Sequence, residues 1–540
     1  MSSHVHIQEG PFVKEPLSIH VEDAEAGNEH SGLQDPQSGR LTGNGNCTPR
    51  SLMSPNAQAP PSATSERRRN TLMRRVSRMS HNNLYLEAED SVIRFWDRFT
   101  RKGKKNIGVW ASLKAIVLSS WLNLFLVFVP IAWASHFRHW PQRLTFTFAF
   151  LAIIPLEWLV EWCGEEMAHY LGKDFGDLLI VTLHNSVEAT LAIILLRHCE
   201  ISLLKSTIIG VVILHLLLVP GTAFVAGGAR ILQQDLHPHL TELNHSLLTL
   251  GVLSLTLPAA FFASLSSNFN PVGTAESNSV IVNDALRGNL LKMSHGMAFC
   301  LLFIYICSRV YLHNPPGDET TNLRPEVPAA LKEEEHHLQT NDPHINQYIC
   351  IALLAVTIGL MAATAEWLVQ ALNFAREDSN IQIEWFGLIL LPLVSYAADG
   401  TVAIVYFVRH TLRHIFREPA PPELLARGRA IDLSIQFLLF WMPFFVLLGW
   451  WTNKPMTLLF DFFEVAILVG ACFIVNYVTA DSKTNWAEGA TMVSFYVMIA
   501  TCAWFYPGQP EALALSECTS VAEALEALAS GHSLSAAEIH

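Results

Sequence analysis

Two apolar stretches of the chain carry acidic residues at corresponding positions. Residues 175–196 contain Glu188, and residues 386–408 contain Asp399. Phe-Gly begins both stretches, and the separation between that phenylalanine and the acid is the same in each. A carboxylate at membrane depth costs roughly 2.5–3.5 kcal/mol on insertion scales, so each acid is a functional-site hypothesis by default. Two half-chains with matching buried acids are typical of a membrane protein built from repeats.

Other polar side chains within apolar stretches are candidates for binding a cation or a proton. Glu157, Glu161 and Glu165 are spaced four residues apart, so they lie along one face of a helix. Glu366 is a matching acid in the second half of the chain. The remaining candidates are His184, Asn185, His215, Asp432, Ser434 and Gln436. Oxygen ligands of these types suit a hard cation such as Ca²⁺, and the lack of thiolate argues against zinc or copper.

A buried carboxylic acid favours its neutral form, because removal from water penalises the charged form. Such a group holds either a proton or a cation, and does not hold both well. If Glu188 and Asp399 share one central site, protons arriving from an acidic compartment would displace the cation. The alternative is that these acids, and also Glu157 and Glu161, are only paired with His184 or with each other.

Apolar runs of about 20 residues recur along the chain, as they do in polytopic helical membrane proteins. Apolar residues make up 51% of the chain and charged residues only 15%. A soluble all-α protein would have shorter helices with a polar face. We therefore expect an all-α membrane protein with eleven spans, at 113–134, 144–163, 174–196, 204–226, 243–264, 292–312, 347–371, 384–408, 430–450, 457–477 and 488–506.

Composition divides the chain into five segments. Residues 1–105 are polar and become basic near their end, so we expect a disordered N-terminal segment in the cytosol. Residues 106–312 and 347–506 are the expected transmembrane halves. An acidic linker, 313–346, joins them on the cytosolic side, and residues 507–540 form an Ala- and Glu-rich tail without a clear signal.

The basic flank before the first span contains a candidate regulatory position. Arg74, Arg75 and Ser77 resemble the target of a basophilic kinase, so Ser77 is a candidate modification site. The alternative is that this flank only orients the first span and attracts anionic lipid. We expect membrane lipid and the transported cation as partners, and no nucleic acid. The sequence does not indicate an oligomeric state.

The nine cysteines are scattered, with no CxxC pair and several inside apolar runs. We interpret them as small core residues and not as a disulfide framework. The chain has no phosphate-cradling loop and no nucleophile constellation, which argues against an enzyme and against an ATP-driven pump.

Several segments are close to the wording of one known family, including SSWLNLFLVFVP, IIPLEWLVEWCGEEMAHYLG, SLTLPAAF and KTNWAEGATMVSFYVMIA. From about Ser112 to Pro507 the chain resembles the calcium/proton exchanger family of the cation/calcium exchanger superfamily, in its fungal and plant vacuolar branch. The resemblance implies eleven helices, ten of them in two inverted repeats of five. It also implies transport of Ca²⁺ into the vacuole against protons, without a cofactor.

The signature motif of this family, Gly-Asn-x-x-Glu, occurs once in each repeat. The first copy here is HNSVE, in which Asn185 and Glu188 match the motif and the glycine does not. The second copy is SYAAD, in which Tyr396 replaces the asparagine and Asp399 replaces the glutamate. The resemblance therefore implies that Asn185, Glu188 and Asp399 bind the cation, with one amide ligand lost.

The resemblance also implies roles for residues outside the two motifs. Ser434 and Gln436 match polar residues near the cation, and Glu165 and Glu366 match acids of the second and seventh spans. Glu165 and Glu366 would line the access path and relay protons. Further titratable groups of that path in this chain are Glu157, Glu161, His184 and His215.

We expect a Ca²⁺/H⁺ antiporter of the vacuolar membrane, in which Glu188 and Asp399 bind cation and proton alternately. The departures from the family cluster at the cation site and leave other functions open. One alternative is an antiporter for Mn²⁺, or for Na⁺ and K⁺. Another is a non-transporting homologue that regulates a true exchanger.

Overall fold

The fold was analysed in a computed structural model. It describes residues 95–97, 99–100, 107–228, 233–236, 238–267, 282–313, 343–379, 382–394, 396–397, 400, 404 and 429–529. Ser77 and Asp399 lie outside these residues. The described residues are mainly helical, so the all-α prediction is confirmed.

The described residues of the first half are mainly helical. In chain order the helices are α1 (Val109–Leu118), α2 (Phe128–Phe137), α3 (Gln142–Leu171), α4 (Lys173–His184), α5 (Ser186–Arg197), α6 (Ile201–Ile213), α7 (Val219–Gly228), α8 (Pro238–Ser267) and α9 (Asp284–His313). A 3₁₀ helix, Trp121–Val127, leads into α2, and a π turn, Leu214–Leu218, joins α6 to α7.

The second half contains two further π turns. Its helices are α10 (Gln347–Ser379), α11 (Ile383–Trp385), α12 (Arg429–Gln436), α13 (Met442–Trp451), α14 (Phe462–Val478), α15 (Trp486–Trp504), α16 (Pro510–Ser516) and α17 (Val521–Ala529). One π turn, Phe386–Leu390, follows α11, and the other, Phe437–Trp441, joins α12 to α13. Strand β1 (Gln234–Asp235) pairs antiparallel with β2 (Lys483–Thr484).

Within the described residues, six helices are long and apolar enough to cross a membrane, or eight if each of two bent pairs is one span. The six are Gln142–Leu171, Ile201–Gly228, Thr241–Leu265, Asp284–Leu312, Gln347–Ala371 and Ala430–Trp451. Helices α14 and α15 coincide with the predicted tenth and eleventh spans, although α14 has only 17 residues. A polytopic membrane protein is therefore confirmed, and the number of eleven spans stays a prediction.

Two predicted spans are not continuous helices. The third, 174–196, bends by 51° where α4 ends and α5 begins, at Asn185. The first, 113–134, bends by 89° after α1. There the Ser120 hydroxyl accepts a hydrogen bond from the backbone N–H of Leu122 at 3.2 Å and caps a new helical start. Polar residues stand at both breaks, Ser119-Ser120 and His184-Asn185-Ser186, but they do not by themselves distinguish a break from the polar face of a continuous helix.

Helices α3 and α10 lie against each other over much of their length. The Tyr170 hydroxyl, near the end of α3, donates to the Ile345 carbonyl just before α10, at 2.6 Å. The Cys350 thiol, near the start of α10, donates to the Cys163 carbonyl in α3, at 3.2 Å. The two helices thus run antiparallel, as inverted repeats require. The division into segments 106–312 and 347–506 stays a prediction.

Helix α6 crosses the π turn Phe386–Leu390 at very close range. A Cβ atom on Gly210 would overlap the carbonyl oxygen of Leu388. A Cβ atom on Gly387 would lie 2.7 Å from the Cβ atom of Ser206. Small residues at such crossings let helix backbones approach each other in membranes.

The C-terminal tail, which composition left without an interpretation, is folded against the bundle. A disulfide joins Cys199, in the turn after α5, to Cys518, between α16 and α17. The Arg287 guanidinium of α9 donates to the carbonyls of Glu517 and Thr519 at 2.9 and 2.8 Å. The interpretation of all the cysteines as small core residues is therefore wrong for this pair, whose 319-residue separation left no local signal.

Candidate cation site

The break between α4 and α5 places an amide inside the bundle. Asn185 is fully buried, with an exposed fraction of 0%. Its side-chain nitrogen donates to Gln436 Oε1 at 2.7 Å and to the Leu433 carbonyl at 3.4 Å, both on α12. Its oxygen Oδ1 has no hydrogen-bond partner among the described residues. The amide is thus fixed from one side and leaves a buried acceptor oxygen, the ligand type that Ca²⁺ prefers.

Glu188 lies in the first turn of α5, directly after this break. Its exposed fraction is 4%, so the carboxylate is almost completely enclosed. The positive end of a helix dipole stabilises a negative charge in the first turn. Broken helices whose ends meet near the bilayer midplane are typical of ion sites in secondary transporters. The sequence placed Glu188 and Asn185 on one helix, and the structure places them at a helix end.

Helix α12 contributes Ser434 and Gln436 from the opposite side. The Gln436 amide nitrogen donates to the Thr182 hydroxyl at 3.0 Å, so both ends of this amide are bound to α4 or its break. The buried Ser434 hydroxyl contacts the carbonyls of Val212 and Ala430 at 3.4 and 3.3 Å. The structure therefore brings Gln436 to Asn185, and it directs Ser434 towards α6.

Three of the acids on α3, spaced four residues apart, form a row with increasing exposure. Glu157 is buried, Glu161 is half-buried, and Glu165 near the end of the helix is exposed. One Glu161 oxygen lies 2.6 Å from His184 Nδ1, at the end of α4. The pairing of an acid with His184 that the sequence left open is therefore present for Glu161. A role of this row in passing protons or cations stays a prediction.

His215 lies close to the pair formed by Glu161 and His184. It is buried within the turn Leu214–Leu218, and its ring centre lies 6.2 Å from that of His184. Histidine changes its charge near neutral pH, unlike the other side chains here. π turns occur frequently at functional sites. A second π turn near the site, Phe437–Trp441, begins directly after Gln436.

The acids Glu165 and Glu366 are not brought together. Glu366 accepts hydrogen bonds from His198 Nε2 at 2.7 Å and from the Gln370 amide at 3.1 Å. Because α3 and α10 run antiparallel, acids in the later parts of these helices lie at opposite ends of the bundle. Any shared access path would therefore have to cross the bundle from Glu165 to Glu366.

Asp432, a further candidate on α12, is held in an ion pair. Its carboxylate oxygens lie 2.5 and 3.2 Å from the two terminal nitrogens of Arg309, on α9. The Arg309 guanidinium also lies over the ring of Tyr305, 4.9 Å from its centre. This ion pair joins α12 to α9. Asp432 therefore has a different partner from Ser434 and Gln436.

The second signature motif is only partly within the described residues. Tyr396 is half-buried, and a Cβ atom on Gly400 would lie 2.7 Å from its ring. Asp399, the proposed partner of Glu188, lies outside the described residues. Among the residues that the structure describes, no group of three or more His, Cys, Asp or Glu side chains is arranged to hold a metal ion. The described part of the site therefore offers one acid together with amide and hydroxyl oxygens.

Buried charges absent from the sequence-based candidates include Lys205 of α6 and Glu464 of α14, with exposed fractions of 5% and 2%. Both lie within largely apolar runs of the sequence. That position was the available signal, because an ionisable residue inside a membrane span is rare and usually functional.

Comparison with known proteins gives a consistent result. Residues 142–313 and 349–505 match the family described as sodium/calcium exchanger protein. A vacuolar calcium ion transporter of Cryptococcus neoformans is 30% identical over 563 residues, covering 88% of this chain and 90% of the relative. A Ca²⁺/H⁺ antiporter of Synechocystis is 30% identical over 391 residues, covering 71% and 97%. The solved structure of native YfkE has the same fold, with a TM-score of 0.52 at 20% identity, and covers 71% of this chain and 100% of that one.

Proposed function

This chain belongs to the sodium/calcium exchanger protein family, and we propose that it is a Ca²⁺/H⁺ antiporter that loads Ca²⁺ into the vacuole. The similar proteins of Cryptococcus neoformans and Schizosaccharomyces pombe are both vacuolar calcium ion transporters. The driving force is the proton gradient, and no cofactor takes part. The partners are the transported ions and the surrounding lipid.

The observation that carries this proposal is the broken helix at Asn185. It places a carboxylate, Glu188, and an amide oxygen, Asn185 Oδ1, at the same helix end in the buried centre of the bundle. Gln436 holds the amide nitrogen, so the oxygen is left to face the ion. Ca²⁺ binds to these oxygens together with Asp399 and Ser434. A proton that neutralises Glu188 removes the charge that holds the ion, so the two ligands exclude each other.

The row of Glu157, Glu161 and Glu165 leads from the site to one end of the bundle, and Glu366 lies at the other end. His184 and His215 add imidazole groups beside Glu161. In the proposed cycle these side chains pass protons or Ca²⁺ between the centre and the two compartments. Alternating access then needs only that one end is open at a time.

The disulfide supports a cytosolic N-terminus. Disulfides persist in oxidising compartments and are rare in the cytosol, so the end that holds Cys199 and Cys518 faces the lumen. Three crossings separate residue 107 from Cys199, namely the first bent pair, α3 and the second bent pair. An odd number of crossings puts the N-terminal side of the bundle in the cytosol. The exposed end of the acidic row on α3 is then cytosolic.

The test is ion uptake by purified protein in proteoliposomes that are acidic inside. We expect Ca²⁺ uptake coupled to proton release, and we expect Glu188→Gln to abolish it while the protein stays folded. Wild-type uptake by Glu188→Gln would rule out this site. Parallel assays with Mn²⁺, Na⁺ and K⁺ test the substrate: a response to Na⁺ or K⁺ alone would overturn Ca²⁺ exchange. No response to any cation would favour a regulatory homologue.

A further inference from the structure

A second group of buried charges lies at the end of the bundle that carries the disulfide. Lys205 is one turn into α6, and its ammonium nitrogen donates three hydrogen bonds. They go to the Thr457 hydroxyl at 3.0 Å, the Leu459 carbonyl at 2.9 Å and the Ser516 hydroxyl at 2.9 Å. All three hydrogens of the ammonium are thus bound to neutral oxygens, one of which belongs to the tail.

Glu464 interacts electrostatically with this ammonium, and two further carboxylates lie next to Glu464 or next to its Ser206 partner. Asp461 precedes α14, Glu464 lies in its first turn, and Glu384 belongs to α11. All three are buried. The Ser206 hydroxyl contacts Glu384 Oε2 at 3.4 Å and also faces Glu464. When every group is ionised, the cluster has three negative charges and one positive charge.

All three carboxylates have hydrogen-bond donors. Asp461 accepts hydrogen bonds from the Tyr506 hydroxyl at 2.7 Å and from two backbone N–H groups at 2.8 Å each. Glu384 has the Ser206 hydroxyl. Glu464 interacts with the same hydroxyl and with the Asp461 backbone, but its Oε1 has no hydrogen-bond partner among the described residues, although its side chain is almost completely buried. A buried charge on an oxygen without a donor is costly, and binding a proton removes that cost.

We infer that Glu464 is a proton-binding carboxylate at the luminal end of the bundle, separate from the Glu188 site. The ligand is a proton and not a metal ion, because no group of three or more His, Cys, Asp or Glu side chains among the described residues is arranged to hold a metal ion. The groups next to Glu464 are Lys205 from α6, Asp461 directly before α14 and Tyr506 after α15. Glu384 from α11 shares the Ser206 hydroxyl with it. The luminal placement rests on the orientation and the function proposed above.

This site gives luminal protons a binding position before they reach the centre of the protein. The tail lies directly above it, since Ser516 binds Lys205 and the Gln509 N–H binds Asp461. Protonation of Glu464 lowers the negative charge under the tail. The rate of Ca²⁺ uptake then depends on the luminal proton concentration with a higher apparent reaction order, because Glu464 binds a proton in addition to the exchange site.

The first experiment detects the proton directly, without transport. Infrared difference spectra of the full-length protein between neutral and acidic pH should contain the carbonyl band of a protonated carboxyl group. We expect Glu464→Gln to remove a band that Glu188→Gln retains, and Glu464→Asp to shift it. A spectrum that is the same for wild type and Glu464→Gln would overturn the inference. If Glu464→Gln does not fold, an unshifted band in Glu464→Asp would overturn it equally.

The second experiment measures Ca²⁺ uptake into vacuolar vesicles as a function of luminal pH. We expect Glu464→Gln to keep its uptake, with the apparent order in luminal protons lower by about one. Glu526→Gln, at an exposed carboxylate of α17 in the same tail, is the matched control and should leave the order unchanged. An unchanged order in Glu464→Gln contradicts the inference. A wild type that shows the Glu464 band but no uptake contradicts the proposed function alone.

Discussion

At the scale of single residues, the site depends on how one amide is oriented. Asn185 uses its nitrogen for Gln436 and Leu433 and keeps its oxygen for the buried interior. A free amide can turn and present either end, so the contact with Gln436 decides whether an oxygen faces Glu188. Gln436 is therefore a positioning residue as well as a candidate ligand. Its own nitrogen is fixed by Thr182, which ties the whole arrangement to α4.

Gln436→Leu should weaken Ca²⁺ binding more than it slows maximal uptake. The variant removes the acceptor of the Asn185 amide, and a hydrogen bond of about 1–1.5 kcal/mol corresponds to a roughly tenfold higher half-saturating Ca²⁺ concentration. Initial uptake rates over a range of Ca²⁺ concentrations give this value. In an Asn185→Ala background the same change should add little, because its partner is already gone. Fully additive effects would contradict the positioning role.

The sequence predicted residue types better than residue contacts. Glu188 and Asn185 could be selected because polar groups are costly in an apolar run. The bond between Asn185 and Gln436 could not be predicted, since 251 positions separate them. Lys205 and Glu464 carried the same signal as Glu188, but no motif drew attention to them. The pairing of Asp432 with Arg309 likewise became visible only when α9 and α12 were placed side by side.

At the scale of helices, breaks and π turns determine where polar groups can lie. A continuous α-helix binds its own backbone groups, whereas a broken one leaves ends that interact with an ion. Helices α4 and α5 meet in such a break, and α6 and α12 both pass into π turns near it. The sequence predicted these spans well by their apolar runs. It did not predict the breaks, because polar residues within an apolar run are also compatible with the polar face of a continuous helix.

Gly210→Ala should destabilise the protein by forcing α6 away from the π turn Phe386–Leu390. The added methyl group would overlap the Leu388 carbonyl, and such overpacking typically costs about 1–3 kcal/mol. Gly359→Ala is the matched control, because no atom lies within 4 Å of the added Cβ on α10. Alanine there should be neutral or stabilise by up to about 1 kcal/mol. Thermal unfolding in detergent compares the two, and equal midpoints would contradict the close crossing.

At the scale of the whole molecule, the tail covers the end of the bundle that carries the disulfide. It is attached through Cys518, through the bonds from Arg287, and through the contact between Ser516 and Lys205. Leu515 and Val521 also pack with apolar residues of the bundle. These contacts join residues that are hundreds of positions apart, and the Ala- and Glu-rich composition of the tail gives no hint of them. Composition predicted the membrane-spanning bundle and could not predict how the tail covers it.

The double variant Cys199→Ser and Cys518→Ser should lower thermal stability. A cross-link that closes a long loop restricts the unfolded chain and stabilises a protein by up to about 5 kcal/mol in a chain-entropy treatment. Reductant should lower the unfolding midpoint of the wild type and leave that of the double variant unchanged. Cys502→Ser, at an exposed free cysteine of α15, is the control for substitution alone. A wild type that is insensitive to reductant would contradict the role of the bridge.

The same bridge changes what a break in the chain would do. The disulfide between Cys199 and Cys518, which are 319 positions apart, closes the chain between them into a covalent ring. The linker 313–346 lies within that ring. A protease that cuts the linker would open the ring without releasing either half. The two fragments would migrate together on a gel until reductant is added. The two halves of the chain are thus connected twice, once through the linker and once through the disulfide.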